Sequence, residues 1–573
     1  MAKTIYLAGF LWSVMAIVFE IKRIHRKKDI IIQGWIWNFL VILLGMIIFT
    51  IWIYGIHMDT HDDYSHWALV VKRIYTMQAF PTASDSMIQF QSYPLGISVW
   101  DYYGCNMIGF SDWTMQWMQF LLNLSCFLPL FYCLGGNKRA WSPLLVLFSI
   151  LMLNGNVPII KSLSVDTMIA LVGSLPVILL LERIRWKEYQ DRRILASYME
   201  SKEAYWGIGI LLAMNLMIKN SGWYFLILWS VFALWMLPES LVNRIKNILQ
   251  VWILPILVTV FWKIYSYVNL PNSEMSNHAF SISRYGKILA TRQGEDLSKF
   301  FYYFLGNSYG IECYYVCLLL LIIWILCYVM RKTTFARRLL QISVTTYITW
   351  MLALMAMYLC SMTDSEIDKV VSMDRYRRTM ELFLYMIWTY YLVGYLSNHK
   401  MKDIFSKMKD IIPKMKDIFL KKCAAKDVQP LISHSILPLM FIGLISILVS
   451  LPKDWYDPWN IWHMNIDLRK NLEQGFRDGI IHSESNLVIY SENKFFLESG
   501  TTDGTKQQYS NEYYLAQYAL NTNQFIVSND LKEIDRLLHQ GYVCFLAGYE
   551  LENQVLLEKY PENCKGNWIF MVQ

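Results

Sequence analysis

Long apolar runs recur through the first 450 or so residues, and nothing else in the chain restricts its fold as strongly. A helix needs roughly 20 apolar residues to cross a bilayer, and about twelve runs approach that length. They lie at 4–20, 35–56, 112–134, 141–159, 163–182, 204–219, 223–238, 249–268, 311–330, 338–360, 379–397 and 431–450. Basic residues crowd alternate connections: KRIHRKK after the first run, NKRA after the third, ERIRWKEYQDRR after the fifth, NRIK after the seventh, RKTTFARR after the ninth, and a long segment from His399 after the eleventh. One topology places all of them on the inner side, as the positive-inside rule requires. The net charge of +7 follows from that placement, so it is not a nucleic-acid signal. A chain of 573 residues with 55% hydrophobic and 17% charged content is too apolar for a soluble enzyme.

The expected architecture is therefore a mostly α, polytopic membrane protein over residues 1–452, followed by a small extracytoplasmic domain over 453–573. The first run precedes its basic cluster (Lys22, Arg23, Arg26, Lys27, Lys28). A secretory signal has the opposite order, so the run reads as a retained span with its N-terminus outside. The segment Tyr93–Phe110 is aromatic and broken by Gly and Asp. It suits a helix lying in the interface, because a further span would invert every later loop. An inner basic segment, 399–428, repeats KMKDI-type units at Met401, Met408 and Met415 and reads as an amphipathic helix on the inner leaflet, kinked at Pro413. Most cysteines, such as Cys126, Cys133, Cys317, Cys327 and Cys360, sit in apolar runs without metal-ligand spacing and read as buried small hydrophobes. Cys544 and Cys564 lie in the C-terminal region, where a disulfide is conceivable.

In that region, apolar runs at Leu487–Tyr490, Phe525–Ser528, Tyr542–Ala547 and Trp568–Val572 alternate with helical patterns at Asn511–Leu520, Leu531–Gln540 and Leu551–Tyr560. Such alternation predicts an α/β layer with some parallel pairing. It has no Gly-rich phosphate loop after its first strand, so it reads as a structural or substrate-guiding cap.

The topology gathers titratable groups on the outer side. An acidic loop, 57–111, carries Asp59, Asp62, Asp63 and His66. On a helix these four would share one face, with Tyr64, Ala68, Val71 and Tyr75 opposite. Asp62 and Asp63 with His66 read either as a helix-capping cluster or as a general base tuned by its surroundings. An oxygen-rich site for a divalent cation, Mg²⁺ or Mn²⁺, is a further alternative. Asp166 opens the fifth span, at a depth where an acid is costly without a cavity or a partner. Lys219, in the KNSG break between spans, and Arg375 are outer-side cations suited to a phosphate head group. Arg377 and Arg378 read as side chains snorkelling to lipid. The loop Pro271–Lys299 joins the same side.

These features, in this order, resemble the GT-C superfamily of polyprenyl-phosphate-sugar-dependent glycosyltransferases. The resemblance spans about residues 35–397 and rests on the Asp62–Asp63 pair after an early span, the Tyr93, Pro94, Gly96 segment, Asp166 opening a later span, the Lys219–Gly222 break, and Arg375–Tyr376. It implies a multi-span, GT-C-like fold and an inverting transferase in a bacterial cell membrane, working at the outer face. A glycosyl group would pass from a polyprenyl-phosphate donor to a hydroxyl of a cell-surface glycan, lipid or protein. Asp62 would be the base, with Asp63 its neighbour or substitute, Asp166 a second acidic site residue, and Lys219 or Arg375, beside Tyr376, would hold the lipid phosphate. Two features depart from the family: the extra first span, and Asp-Asp where Asp-Glu is commoner. The competing readings are a glycolipid transporter or flippase, and a non-enzymatic membrane protein that senses the surface through its C-terminal domain.

Overall fold

The structure, a computed structural model, describes most of 40–51 and 57–132, then 162–189, 203–270, 282–308, 333–362, 367, 370, 372–398, 466–490, 497–498, 508–509, 511–520, 525–546, 556–565 and 568–569, with a few single positions left out. The expected spans 4–20, 141–159, 311–330 and 431–450, the basic segment 399–428, and Asp59 lie outside the described residues.

Within the membrane part, helices are α1 (Ala68–Met77), α2 (Gly96–Ile108), α3 (Asp112–Ser125), α4 (Asp166–Tyr189), α5 (Glu203–Ile218), α6 (Gly222–Met236), α7 (Leu241–Asn269), α8 (Ile282–Thr291), α9 (Gly294–Asn307), α10 (Thr333–Ser361) and α11 (Met373–Asn398). Among the described residues, three stretches are long and apolar enough to cross a membrane: Asp166–Ile184, Leu241–Asn269 and Arg337–Ser361. Ala204–Ile218 and Gly222–Met236 are shorter and also apolar. The segment expected to lie in the interface contains α2, whose 13 residues are too few for a span. The stretch expected as an outer loop, 271–299, instead contains α8 and the start of α9.

Helix α4 is the hub. It packs against α3, α5, α6 and α11, and 83% of its apolar window is buried, against 17% for α7. That contrast follows from sequence: α7 presents Leu249, Ile253, Leu257, Val260, Phe261, Ile264 and Tyr267 outward, an apolar surface that lipid can cover. The loop between α1 and α2 is tied across the C-terminal end of α7. Trp262 donates to the Ser92 carbonyl at 3.0 Å, Tyr265 to that of Pro81 at 3.0 Å, and the Ala83 amide to Asn269 at 2.9 Å. Within the loop, Asp85 receives Arg73 and the Thr82 amide.

The C-terminal part forms α12 (Ile466–Arg477), β1 (Leu487–Tyr490), β2 (Leu497–Glu498), β3 (Gln508–Tyr509), α13 (Asn511–Leu520), β4 (Phe525–Ser528), α14 (Leu531–His539), β5 (Val543–Leu546), β6 (Cys564–Lys565) and β7 (Trp568–Ile569). The main sheet runs β4-β1-β5-β7-β6. Its first three strands are parallel, and β7 is antiparallel to both β5 and β6. Period-two alternation divides its side chains. Leu487, Ile489, Phe545 and Trp568 join the core shared with the membrane part, while Val488, Tyr490, Cys544, Leu546 and Ile569 pack on Ile534, Leu537 and Leu538 of α14. Both faces being covered, near-continuous apolar strands are what a parallel sheet needs. Cys544 forms no disulfide. Its strand is separated from that of Cys564 by β7, two strand spacings of about 4.8 Å each, too far for a bridge.

Candidate functional site

The acidic loop enters α1 through a π-helical turn, Asp63–Trp67, with Asp62 at its N-terminal boundary. Single π turns widen a helix and re-aim its side chains. Here they separate two neighbours: the Asp62 side chain is 35% exposed, whereas Asp63 is fully buried. The even split expected from an amphipathic helix is absent, since Asp63 to Val71 are buried on all sides. The cause is tertiary, because α2 covers one flank of this helix and α13 of the C-terminal layer covers the turn.

Asp62 points at the end of α11. Its Oδ2 accepts from Arg375 Nη1 at 2.7 Å. Arg375 Nε lies 3.2 Å from Asp166 Oδ2, and Asp166 Oδ1 accepts from Lys219 Nζ at 2.8 Å. Asp62, Arg375, Asp166 and Lys219 thus form one continuous chain of alternating charge, drawn from four parts of the sequence. Tyr376 flanks it: Lys219 Nζ lies 5.3 Å and the Arg375 guanidinium 5.2 Å from the ring centroid, both within cation–π range. Ser164 donates to Asp166 Oδ2 at 2.9 Å, so the loop ahead of α4 fixes the acid's second oxygen.

Local sequence explains how these groups reach one another. Asp166 is the first residue of α4, where a carboxylate is favoured by the helix dipole. Lys219 sits where α5 ends and the chain turns into α6 at Gly222. A Cβ on Gly222 would lie 2.6 Å from the Asn215 carbonyl oxygen, so the tight reversal needs glycine there. Gly96 has the same role at the start of α2, where a Cβ would meet the Met217 backbone oxygen at 2.6 Å.

Asp63 faces away from the chain of charges. Its Oδ1 accepts from the Leu163 amide at 2.8 Å and from Ser162 at 3.3 Å, tying the turn to the approach to α4. Burial pushes its pKa up to about 8, with Asp62 next to it adding to the rise. His66 is 2% exposed and seated among aromatic rings, 4.5 Å from Trp67, 5.4 Å from Tyr93 and 6.1 Å from Phe90. Asp62, Asp63 and His66 therefore diverge, and among the described residues no three His, Cys, Asp or Glu side chains gather as a metal site.

Arg377 differs from its expected lipid-facing role. It is 2% exposed, 2.9 Å from Asp374 and 3.6 Å from Glu381, because α11 packs this side against α4 and the two acids one turn away neutralise it. Tyr93 belongs to the site's surroundings, yet its sequence signal was only the Tyr-Pro-x-Gly pattern. Burial pushes its phenol up to about 12, and its electrostatic neighbours are Lys219, Tyr376, Asp166 and Asp62. Asp112 and Arg469, a buried pair joining α3 to α12, carried no local signal at all.

No family model matches the sequence, and no curated protein matches it. Among solved structures, the chain is similar to the crystal structure of ArnT from Cupriavidus metallidurans bound to undecaprenyl phosphate, with 11% identity over 91% of this chain and 94% of that chain and a TM-score of 0.50. The same protein in its apo state matches with 11% identity over 92% and 95% and a TM-score of 0.48. The likeness is one of fold, reached without detectable kinship in sequence: this chain has the fold of ArnT.

Proposed function

We propose that the protein is a membrane glycosyltransferase that takes a glycosyl group from a polyprenyl-phosphate carrier and passes it to a hydroxyl acceptor at the outer face of a bacterial membrane. The observation that carries this reading is the Asp62–Arg375–Asp166–Lys219 chain at the mouth of the bundle. The ArnT fold and the undecaprenyl phosphate held by that protein support it. A lipid phosphate needs fixed cations where the head group meets water, and Arg375 and Lys219 supply two, oriented by Asp166 between them. The leaving group is the carrier phosphate, and the two cations stabilise its charge as the glycosidic bond breaks.

Asp62 is the group best placed to remove the acceptor proton, because it is the more exposed of the two neighbouring acids and already touches the cation that would hold the phosphate. Attack by the acceptor on the face opposite the phosphate gives inversion. Base catalysis of this kind contributes about 10²- to 10⁴-fold. Asp63 fills a positioning role, holding the π turn against the Ser162–Leu163 segment. The acceptor class, a glycan, lipid or protein of the cell surface, follows only from the outer-face placement. The C-terminal layer is extracytoplasmic in this reading.

The test is transfer by purified protein from a synthetic polyprenyl-phosphate sugar, read as release of polyprenyl phosphate. Asp62→Asn should abolish release while membrane insertion and folding persist. Full activity in both the Asp62→Asn and Asp63→Asn variants would sink the mechanism. Lipid translocation without any release would favour the transporter reading.

A further inference from the structure

The loop that carries Asp62 is closed at its neck by a residue of α3, and that residue is held by the C-terminal layer. Asp112 Oδ2 accepts from the Met58 amide at 3.0 Å and lies 3.6 Å from His57 Nδ1. Arg469 of α12 grips the same carboxylate with both ends of its guanidinium, Nη1 on Oδ2 and Nη2 on Oδ1 at 3.2 Å. Such a fork fixes a carboxylate in plane as well as in place. The Met58 carbonyl, in turn, accepts from the Tyr64 hydroxyl, so the backbone four residues before Asp62 is pinned on both sides. Two more contacts from the same layer reach this region. The Tyr518 ring of α13 lies 5.5 Å from that of Tyr64, and the Tyr518 carbonyl accepts from Lys72 of α1. Arg469 and Lys72 both lie against the Tyr518 ring, at 5.0 and 4.5 Å from its centroid.

A pair this deeply buried is poorly explained as a source of stability, because desolvating both ions offsets most of their attraction. Its geometric effect is specific: it fixes the backbone at Met58, four residues ahead of Asp62. We propose that Arg469 is a positioning residue for Asp62, acting through Asp112 and Met58, so that the C-terminal layer completes the acidic half of the site. The inference rests on the proposed function for its catalytic consequence, but its structural part stands apart from any reaction.

The test uses the full chain in lipid nanodiscs, with hydrogen–deuterium exchange and transfer kinetics measured on the same preparations. Arg469→Gln should speed exchange of the 57–67 peptide about tenfold, as expected when a charge-assisted hydrogen bond is lost, and leave α14 unchanged. Its kcat should fall about tenfold or more while KM for the lipid donor stays level, since Asp166 still holds both Arg375 and Lys219. Arg469→Lys, which keeps the charge but not the fork, should recover part of both effects, and Asp478→Asn on the exposed side of the α12 end should change neither. Unaltered exchange of 57–67 in Arg469→Gln overturns the proposal whatever the activity. Equal loosening of 57–67 and α14 in both Arg469 variants also overturns it, since that is plain loss of fold. Absence of transfer by the unmodified protein would count against the proposed function, with the exchange result still deciding the coupling.

Discussion

Asp166 and Lys219 stand 2.8 Å apart although 53 positions separate them in sequence, and the acid's other oxygen faces Arg375. One carboxylate thus holds two cations in a pocket where neither would stay charged cheaply alone. Asp166→Asn leaves Lys219 without its carboxylate partner and Arg375 with Asp62 alone. Breaking a buried pair from one side costs about 3–5 kcal/mol. Denaturant titration of the micelle-embedded variant should show a loss of that order. Adding Lys219→Met should recover part of it, and strict additivity of the two changes would contradict the arrangement.

Arg375 bridges two acids through different nitrogens, Nη1 to Asp62 and Nε to Asp166. A lysine cannot span both, since it offers a single point of charge. Arg375→Lys is expected to lower kcat/KM by about tenfold or more, with unfolding temperature nearly unchanged. Kinetics on the synthetic donor check this, and an Arg375→Lys enzyme with normal kcat/KM would deny the bridge any role.

Asp63 carries a pH signature. Its folded pKa of about 8 lies above the ordinary value of 3.8. Between those values the folded state holds a proton that the unfolded state releases, so stability falls as pH rises from about 4 to about 8 and levels off beyond. Asp63→Asn keeps an acceptor for the Leu163 amide and has no proton to lose. The gap in thermal midpoint between the variant and the unmodified protein should therefore shift in the variant's favour across that window. A gap that does not change with pH would show that Asp63 is ionised in the folded protein.

Gly222→Ala places a methyl group 2.6 Å from the Asn215 carbonyl oxygen, at the turn that presents Lys219. Backbone must move to admit it, at a cost of about 1–3 kcal/mol. Donor KM should rise more than kcat falls, because the displaced group is the cation proposed to bind the donor phosphate. Unchanged donor binding in this variant, measured by titration with polyprenyl phosphate, would mean the turn is more compliant than its packing suggests.

How much of this could be read in advance depended on the physics of each residue. Charge against the positive-inside bias marked Lys219 and Arg375, and the cost of an acid at a span's mouth marked Asp166. Those arguments are local and topological, and the three residues do meet. The strands of the C-terminal layer were legible because apolar runs of four to six residues between polar turns have few other uses. Asp62 and Asp63 were inseparable in sequence, since a π turn, which has no sequence signature of its own, sends one outward and buries the other. Arg377 was misjudged because lipid-facing and bundle-facing arginines look alike until the neighbouring helix is known. Asp112 and Arg469, 357 positions apart, could be paired only by the fold.

The contact between Asp62 and Arg375 carries one more implication for the proposed enzyme. The proposed base is paired with the same cation that a donor phosphate would claim. In the proposed reaction an arriving phosphate would act as a key: by drawing Arg375 to itself it would unmask Asp62, and only then would a hydroxyl be activated. Such an interlock would protect a lipid-linked sugar from stray water and would impose a compulsory order, donor before acceptor.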